Sequence, residues 1–426
     1  MLVTNAVLAD GSDVSVRIDD ERIEDVGDLS AGSGEETVDA AGMVLMPGMV
    51  DTHVHLREPG FPHKETWGAG TRSAAAGGVT TVIDQPNTEP ATVTGESYDR
   101  KRAHASRACV DYGINGGVSA DWEPATLFER PLTAVGEVFL ADSTGEMGIE
   151  PALFERALGR ISEAGLLVTV HAEDAASFDE TARDRGDQEY DAWSEYRPAT
   201  AEIAAVEAAC AVAREQDVRI HIAHITTPEA VDIVREAGMS CEVTPHHLLL
   251  SRPDYDRLGA YGRMNPPLRS EARRAQLYDR LVEGAIDFVA TDHAPHTSRE
   301  KNRGIWDAPS GVPGVETALP LLVAEATSSR SELDLEQVVE ICAVEPAARF
   351  GLQQKGRIEV GRDADLVLMD TETTRPIRTE RLSSVCGWTP FESFDAVFPE
   401  WTMVRGEIVF IDQEFREGWG RNVRSD

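Results

Sequence analysis

Eight short runs of β-branched and apolar residues recur through the middle of this 426-residue chain. They are LMPGMVDTHVH, GVTTVIDQP, YGINGGVS, AVGEVFLAD, LLVTVHAE, VRIHIAHIT, SCEVTPHH and DFVATDHAP. Most are separated by amphipathic stretches such as PATAEIAAVEAACAVAREQD, which opens on a Pro-Ala-Thr helix start. Strands alternating with helices predict an α/β chain, a (β/α)8 TIM-like barrel over residues 48–352. A doubly wound open sheet is the alternative, but no GxGxxG or GxxxxGK[ST] follows the first run. The two ends of the chain read instead as short strands with Gly and Asp turns, including GRIEVGRDADLVLMD and AVFPEWTMVRGEIVF. Each end alone has too few strands for a core. Residues 1–47 and 353–426 are therefore predicted to join into one small β-sandwich beside the barrel.

Charge narrows the partners. The net charge is −35, from 75 acidic and 40 basic residues. A field of that sign repels nucleic acid and anionic membranes. Only four of the basic residues are lysine: Lys64, Lys101, Lys301 and Lys355. That scarcity predicts a protein built to stay hydrated in high salt, where screening removes much of the self-repulsion. No apolar run approaches the ~20 residues of a membrane span, and the start MLVTNAVLADGSDV has no signal-peptide pattern. The five cysteines are scattered and never spaced CxxC, which argues against disulfides and thiolate zinc sites and for a cytoplasmic protein.

The histidines locate the chemistry. Of 11, nine fall at or just past the end of a predicted strand: His53, His55, His171, His221, His224, His246, His247, His293 and His296. Barrels of this kind carry their active residues at the carboxyl ends of the strands. His53-Val54-His55 puts two imidazoles on one face of the first strand, which suits a zinc-like ion. His171, His224 and Asp292 close three other strands. Four imidazoles and a carboxylate exceed what one tetrahedral ion needs, so the set implies two divalent ions sharing a hydroxide. Arg57, two residues past His55, offers a planar guanidinium for gripping a carboxylate. His221 is expected to be structural. Asp84 and Glu173 are expected to orient ligand histidines. The polar stretch HTSREKNRGIWDAPSGVPG reads either as a lid or as an ordered loop.

The segments DTHVHLREPG, QPNT, VHAED, CEVTPHHL, GRMNPPLR and FVATDHAPH resemble the amidohydrolase superfamily, and within it the long-chain dihydroorotase family of barrel-plus-β-sandwich type. The resemblance covers nearly the whole chain. HLREPG and NPPLR are specific to the dihydroorotase branch. DxHxH and the late Asp are shared with hydantoinases, dihydropyrimidinases and allantoinases, which usually lack the Arg after the second histidine. The resemblance implies one Zn2+ on His53, His55 and Asp292 and a second on His171 and His224. It implies Asp292 as the catalytic proton carrier. It implies Arg57, Asn87 and His296 on the substrate carboxylate, Asn265 on the ring, and backbone around Pro313 and Gly314 beside it. The substrate pair would be N-carbamoyl-L-aspartate and dihydroorotate, in pyrimidine biosynthesis. A homodimer and an association with aspartate carbamoyltransferase are further expectations of the resemblance. A barrel surviving only as a non-catalytic scaffold is the contrasting reading.

One departure stands out. Relatives often bridge the two metals with a carboxylated lysine on the fourth strand, and here AVGEVFLADSTGE contains no lysine. Glu137 occupies the expected slot and would bridge directly, although its side chain is shorter by about three bonds of ~1.5 Å. Asp142, nearer the loop, is the rival.

Overall fold

The computed structural model describes residues 1–143 and 147–425. The N-terminal strands are β1 (Leu2–Val7), β2 (Asp13–Asp19), β3 (Arg22–Gly27), β4 (Thr37–Asp39) and β5 (Val44–Pro47). Eight parallel strands follow: β6 (Met49–Val54), β7 (Val79–Asp84), β8 (Asp111–Ile114), β9 (Val135–Phe139), β10 (Val168–His171), β11 (Ile220–Ile222), β12 (Ser240–Val243) and β13 (Phe288–Val289). The C-terminal part adds β14 (Leu366–Met369), β15 (Arg375–Pro376), β16 (Asp395–Ala396), β17 (Pro399–Val404), β18 (Glu407–Ile411) and β19 (Glu414–Phe415).

Strands β6 to β8 form one parallel run and β9 to β13 another. Parallel bridges between Gly116 and Val135 and between Val54 and His293 join the two runs at both edges, closing the barrel. Each of the eight expected runs holds one barrel strand. Between them the sequence gives helices such as Ala199–Glu215 and Pro228–Ala237, the latter ended by Gly238 in the left-handed conformation. Among the described residues no helix is long and apolar enough to cross a membrane.

The two ends of the chain share one nine-stranded sheet, ordered β19-β18-β17-β14-β5-β1-β2-β3 with β4 on β1. Period-two alternation explains how it sits. On β5 and β14, Leu45, Leu366 and Leu368 face a core shared with Val3, Val16 and Trp401. The alternate residues Val44, Met46, Val367 and Met369 pack into the barrel's main cluster. The run Arg357–Val360, expected as a strand, forms none. It is bounded by Gly356 and Gly361, both at positive φ, and Val360 projects into solvent.

No lysine is fully exposed. Lys101 and Lys301 are fully buried, Lys355 is nearly so and Lys64 is half-buried. Lys355 Nζ lies 2.6, 2.9 and 2.7 Å from carboxylate oxygens of Asp111, Asp363 and Asp365, and Arg405 Nε adds a contact of 2.9 Å to Asp111. This cluster ties β8 of the barrel to the approach of β14. Removing one partner from a buried ion cluster leaves its opposite charges uncompensated, at about 3–5 kcal/mol. Lys355→Met is therefore expected to lower unfolding free energy by that amount, measured by denaturant titration in high salt. A loss below about 1 kcal/mol would mean that the cluster contributes little.

Candidate active site

The carboxyl ends of β6, β9, β10, β11 and β13 deliver His53, His55, Glu137, His171, His224 and Asp292 to one place, all buried. Three residues that close barrel strands turn into the pocket from the left-handed region: Arg57 at φ 64°, His224 at 36° and Asp292 at 44°. Such backbone costs on the order of 1–3 kcal/mol per residue and persists where the surroundings enforce it.

Glu137 stands at the centre. Its Oε1 lies 2.7 Å from His224 Nε2 and 3.3 Å from His171 Nδ1. Its Oε2 lies 3.1 Å from His53 Nε2 and 3.6 Å from His55 Nε2. One carboxylate thus faces two imidazole pairs. Gly136 makes this approach possible, because a Cβ there would lie 2.4 Å from the Thr169 carbonyl oxygen on β10. The Glu137 N–H donates to Gln85 Oε1 at 2.8 Å, and Gln85 Nε2 donates to the Thr52 carbonyl at 3.0 Å. Gln85 therefore pins Glu137 to the first strand. The sequence motif QPNT contained it, but only Asn87 drew attention there.

The outer nitrogens of three histidines are fixed by oxygens. His53 Nδ1 is 2.6 Å from Glu242 Oε1, His55 Nδ1 is 2.6 Å from Asn87 Oδ1, and His171 Nε2 is 3.1 Å from Glu173 Oε2. If each outer nitrogen carries the proton, each inner one presents a lone pair to the centre. His53 Nε2 then faces a Glu137 oxygen at 3.1 Å without a hydrogen bond. His171 Nδ1 and His224 Nε2 likewise face each other at 3.0 Å. Lone pairs converging on a carboxylate fit cations. The donor atoms of His53, His55 and Asp292, and those of His53, Glu137 and His224, lie within 4.8 Å of one another.

Outer partners continue inward from the fold. Glu173 receives Arg197 at 2.7 Å. Burial works against the charged form of His171, yet Glu137 and Glu173 hold its pKa up at about 9. Glu242 also meets His221 Nε2 at 3.2 Å, and the His221 ring stacks on Phe288. His221 is thus structural, as expected. Glu242→Gln should weaken metal binding about 10- to 100-fold, read by titrating the apoenzyme with zinc against a competing chelator. Unchanged affinity would dissociate Glu242 from the metal centre.

The family model described as "Amidohydrolase family" matches residues 44–409. A dihydroorotase of Halobacterium salinarum is 57% identical over 425 residues, covering 99% of both chains. A dihydroorotase of Methanosarcina acetivorans is 43% identical over 437 aligned positions, covering 96% of this chain and 93% of that one. This chain belongs to the dihydroorotase branch of the amidohydrolase family. Among solved structures, the L-hydantoinase (dihydropyrimidinase) from Arthrobacter aurescens aligns at TM-score 0.92 with 27% identity, covering 98% of each chain. Dihydropyrimidinase from Brevibacillus agri aligns at 0.89 with 26% identity, over 100% of this chain and 98% of that one. Amidohydrolases are metal-dependent, and the donor set described above suits that chemistry.

Beside the donors lies a cleft whose lining includes His55, Arg57, Asn87, Asn265, Ser310 and Gly311. Arg57 is 3% exposed, and its Nε donates to the Pro295 carbonyl at 3.2 Å. Burial lowers its pKa to about 10, which leaves it charged. Asn265 donates to Ser143 Oγ at 3.1 Å and accepts from Trp193 Nε1 at 3.2 Å.

Several dihydroorotase-type expectations need correction. Asp142 is exposed and accepts the Gly148 N–H at 2.8 Å, so its carboxylate is outside the donor cluster. Pro313 and Gly314 are buried and do not line the cleft, and the Gly314 N–H donates to His293 Nδ1 at 3.1 Å. The backbone beside the cleft is Ser310–Gly311 instead. Gly311 passes so close to the Ala294 carbonyl that a Cβ would approach it to 2.6 Å. Asn87 spends its carbonyl oxygen on His55, leaving only its amide nitrogen for a ligand. Asp84 reaches no ligand histidine; it accepts the Leu56 N–H and Lys101 Nζ, each at 2.6 Å, and so fixes the backbone beyond His55. The loop after His296 is tied to its surroundings by hydrogen bonds. Its Lys301 Nζ donates to the carbonyls of Arg263, Pro309 and Gly311 at 2.9, 2.9 and 3.1 Å.

Proposed function

We propose that this chain interconverts N-carbamoyl-L-aspartate and L-dihydroorotate, with two Zn2+ or similar divalent ions per chain. His53, His55 and Asp292 would hold one ion, His171 and His224 the other, and Glu137 would bridge them in place of the carboxylated lysine of relatives. Bound there, the ions supply Lewis acidity toward the scissile carbonyl and an acidified water. The carbonyl side of the substrate would lie over this cluster. Asp292 turns Oδ1 toward His55 at 2.9 Å. Its other oxygen, Oδ2, would accept the proton lost by water on attack and return it to the ring nitrogen as the C–N bond breaks. Ring closure runs the same proton transfers backwards.

The observation that carries the substrate assignment is Arg57. It is a buried guanidinium on the cleft wall, and among the described residues no carboxylate oxygen lies within 4 Å of it. An uncompensated buried cation is costly, and a substrate carboxylate gives it a bidentate partner. A neutral hydantoin or dihydrouracil ring does not. Asn87 through its amide nitrogen, Asn265 and His296 would complete the polar contacts. The test is conversion of N-carbamoyl-L-aspartate to dihydroorotate by the zinc-loaded chain, and its loss on chelation. A loaded protein that closes no ring would contradict the proposal. The acidic, lysine-poor surface further supports a cytoplasmic enzyme that works in high salt.

A further inference from the structure

The motif HLREPGFPHKE carries a lysine that the metal and substrate assignments above do not use. Lys64 is one of only four lysines in the chain, and its ammonium meets the His296 ring of the Arg57–His296 wall. Its Nζ lies 3.2 Å from His296 Nδ1 and 3.3 Å from Glu300 Oε1. An ammonium can only donate, so Nδ1 of His296 must accept and the ring proton must sit on Nε2. Nε2 then donates to the Ser310 carbonyl at 2.9 Å. The backbone of His296 is held as well, because Trp388 Nε1 donates to its carbonyl at 2.6 Å. Both ring nitrogens of His296 are held in register by protein partners, and Arg57 Nη2 sits 3.2 Å from Nε2. With that nitrogen carrying a proton, the guanidinium has no acceptor there and keeps its Nη donors for the cleft.

We infer that Lys64 is a specificity-determining positioning residue: it locks His296 as a neutral strut between Lys64 and the Ser310 carbonyl, and so keeps the Arg57 guanidinium unpaired and aimed at the carboxylate of an anionic substrate. This inference rests on the function proposed above and adds to it a residue that does not line the cleft. Burial and the surrounding cations Arg57, Lys64 and Lys301 all press His296 toward its neutral form, in agreement with a strut rather than a second cation. Without the Lys64 ammonium, the His296 ring is free to take the other tautomer, whose bare Nε2 lone pair would accept from Arg57 and draw it off the substrate.

Steady-state kinetics on the full chain with dihydroorotate tests this, using Lys64→Met and Lys64→Arg at full metal loading. Lys64→Met should raise KM about tenfold and leave kcat within about threefold, because the metal cluster and Asp292 are untouched. Lys64→Arg, which keeps a cationic donor, should recover most of the KM. A fall in kcat with KM unchanged would overturn the inference, and so would wild-type kinetics in Lys64→Met or a Lys64→Arg variant no better than Lys64→Met. If the wild type itself fails to turn over dihydroorotate, the proposed function falls and the inference with it. Wild-type turnover with an indifferent Lys64 removes the inference alone.

Discussion

Glu137→Ala should bind at most one divalent ion per chain and lose activity by about 10³-fold or more. The reason is geometric. Among the described residues, Glu137 is the one carboxylate whose two oxygens face both imidazole pairs, at 2.7 and 3.3 Å on one side and 3.1 and 3.6 Å on the other. Asp292 meets only the first pair, at 2.9 Å from His55 Nε2 and 3.6 Å from His53 Nε2. Removing Glu137 therefore leaves His171 and His224 as two imidazoles without a carboxylate, too few to retain zinc in a four-coordinate site. Metal analysis after gel filtration reads the stoichiometry directly. Asp142→Ala serves as the contrast and should keep both ions, since its carboxylate is turned to the Gly148 N–H. Two tightly held ions in Glu137→Ala would show that the bridge lies elsewhere.

Arg57→Met should cut kcat/KM for dihydroorotate by about 10²–10³-fold, the usual cost of truncating one partner of a buried charge pair. Turnover of dihydrouracil should change by less than about fivefold, because a ring without a carboxylate makes no use of the guanidinium. The comparison is informative because the fold does not choose between substrates. Hydantoinases share this backbone at TM-score near 0.9, whereas the sequence relatives at 57% and 43% identity are dihydroorotases. Function resides in the site grafted on the barrel. Equal losses on both rings would make Arg57 a structural residue and reopen the hydantoinase-like reading.

Much of this was legible in the residues themselves. The barrel was readable because each strand run is short, β-branched and followed by a helix, so local preference and tertiary pattern agree. The donor residues were readable because strand ends are where such barrels expose side chains, and period two puts His53 and His55 on one face. Glu137 was readable as a charge inside VGEVF that needs a buried partner. What remained hidden depends on contacts between distant segments. Nothing local says that Asn87 spends its carbonyl oxygen on His55, or that Asp84 pairs with Lys101 rather than with a histidine. The cleft wall was placed at Pro313–Gly314 rather than Ser310–Gly311 because that loop's path is set by Lys301 gripping three carbonyls and by Gly311 pressed on Ala294. The withdrawal of the lysines from solvent, three of them buried and Lys64 half-buried, was likewise invisible in composition. Scarcity alone does not reveal that the surviving four each sit in a polar cluster.

In the proposed function, a buried arginine without an ion-pair partner, beside the cluster of metal-donor side chains, selects an anionic cyclic amide. The most direct test is the ratio of kcat/KM for dihydroorotate to that for dihydrouracil, measured on the zinc-loaded wild type in high salt. A ratio of about 10² or more is predicted, since a site built around a buried polar group rejects ligands that leave it unpaired. A ratio near one, or a preference for the neutral ring, would contradict the account.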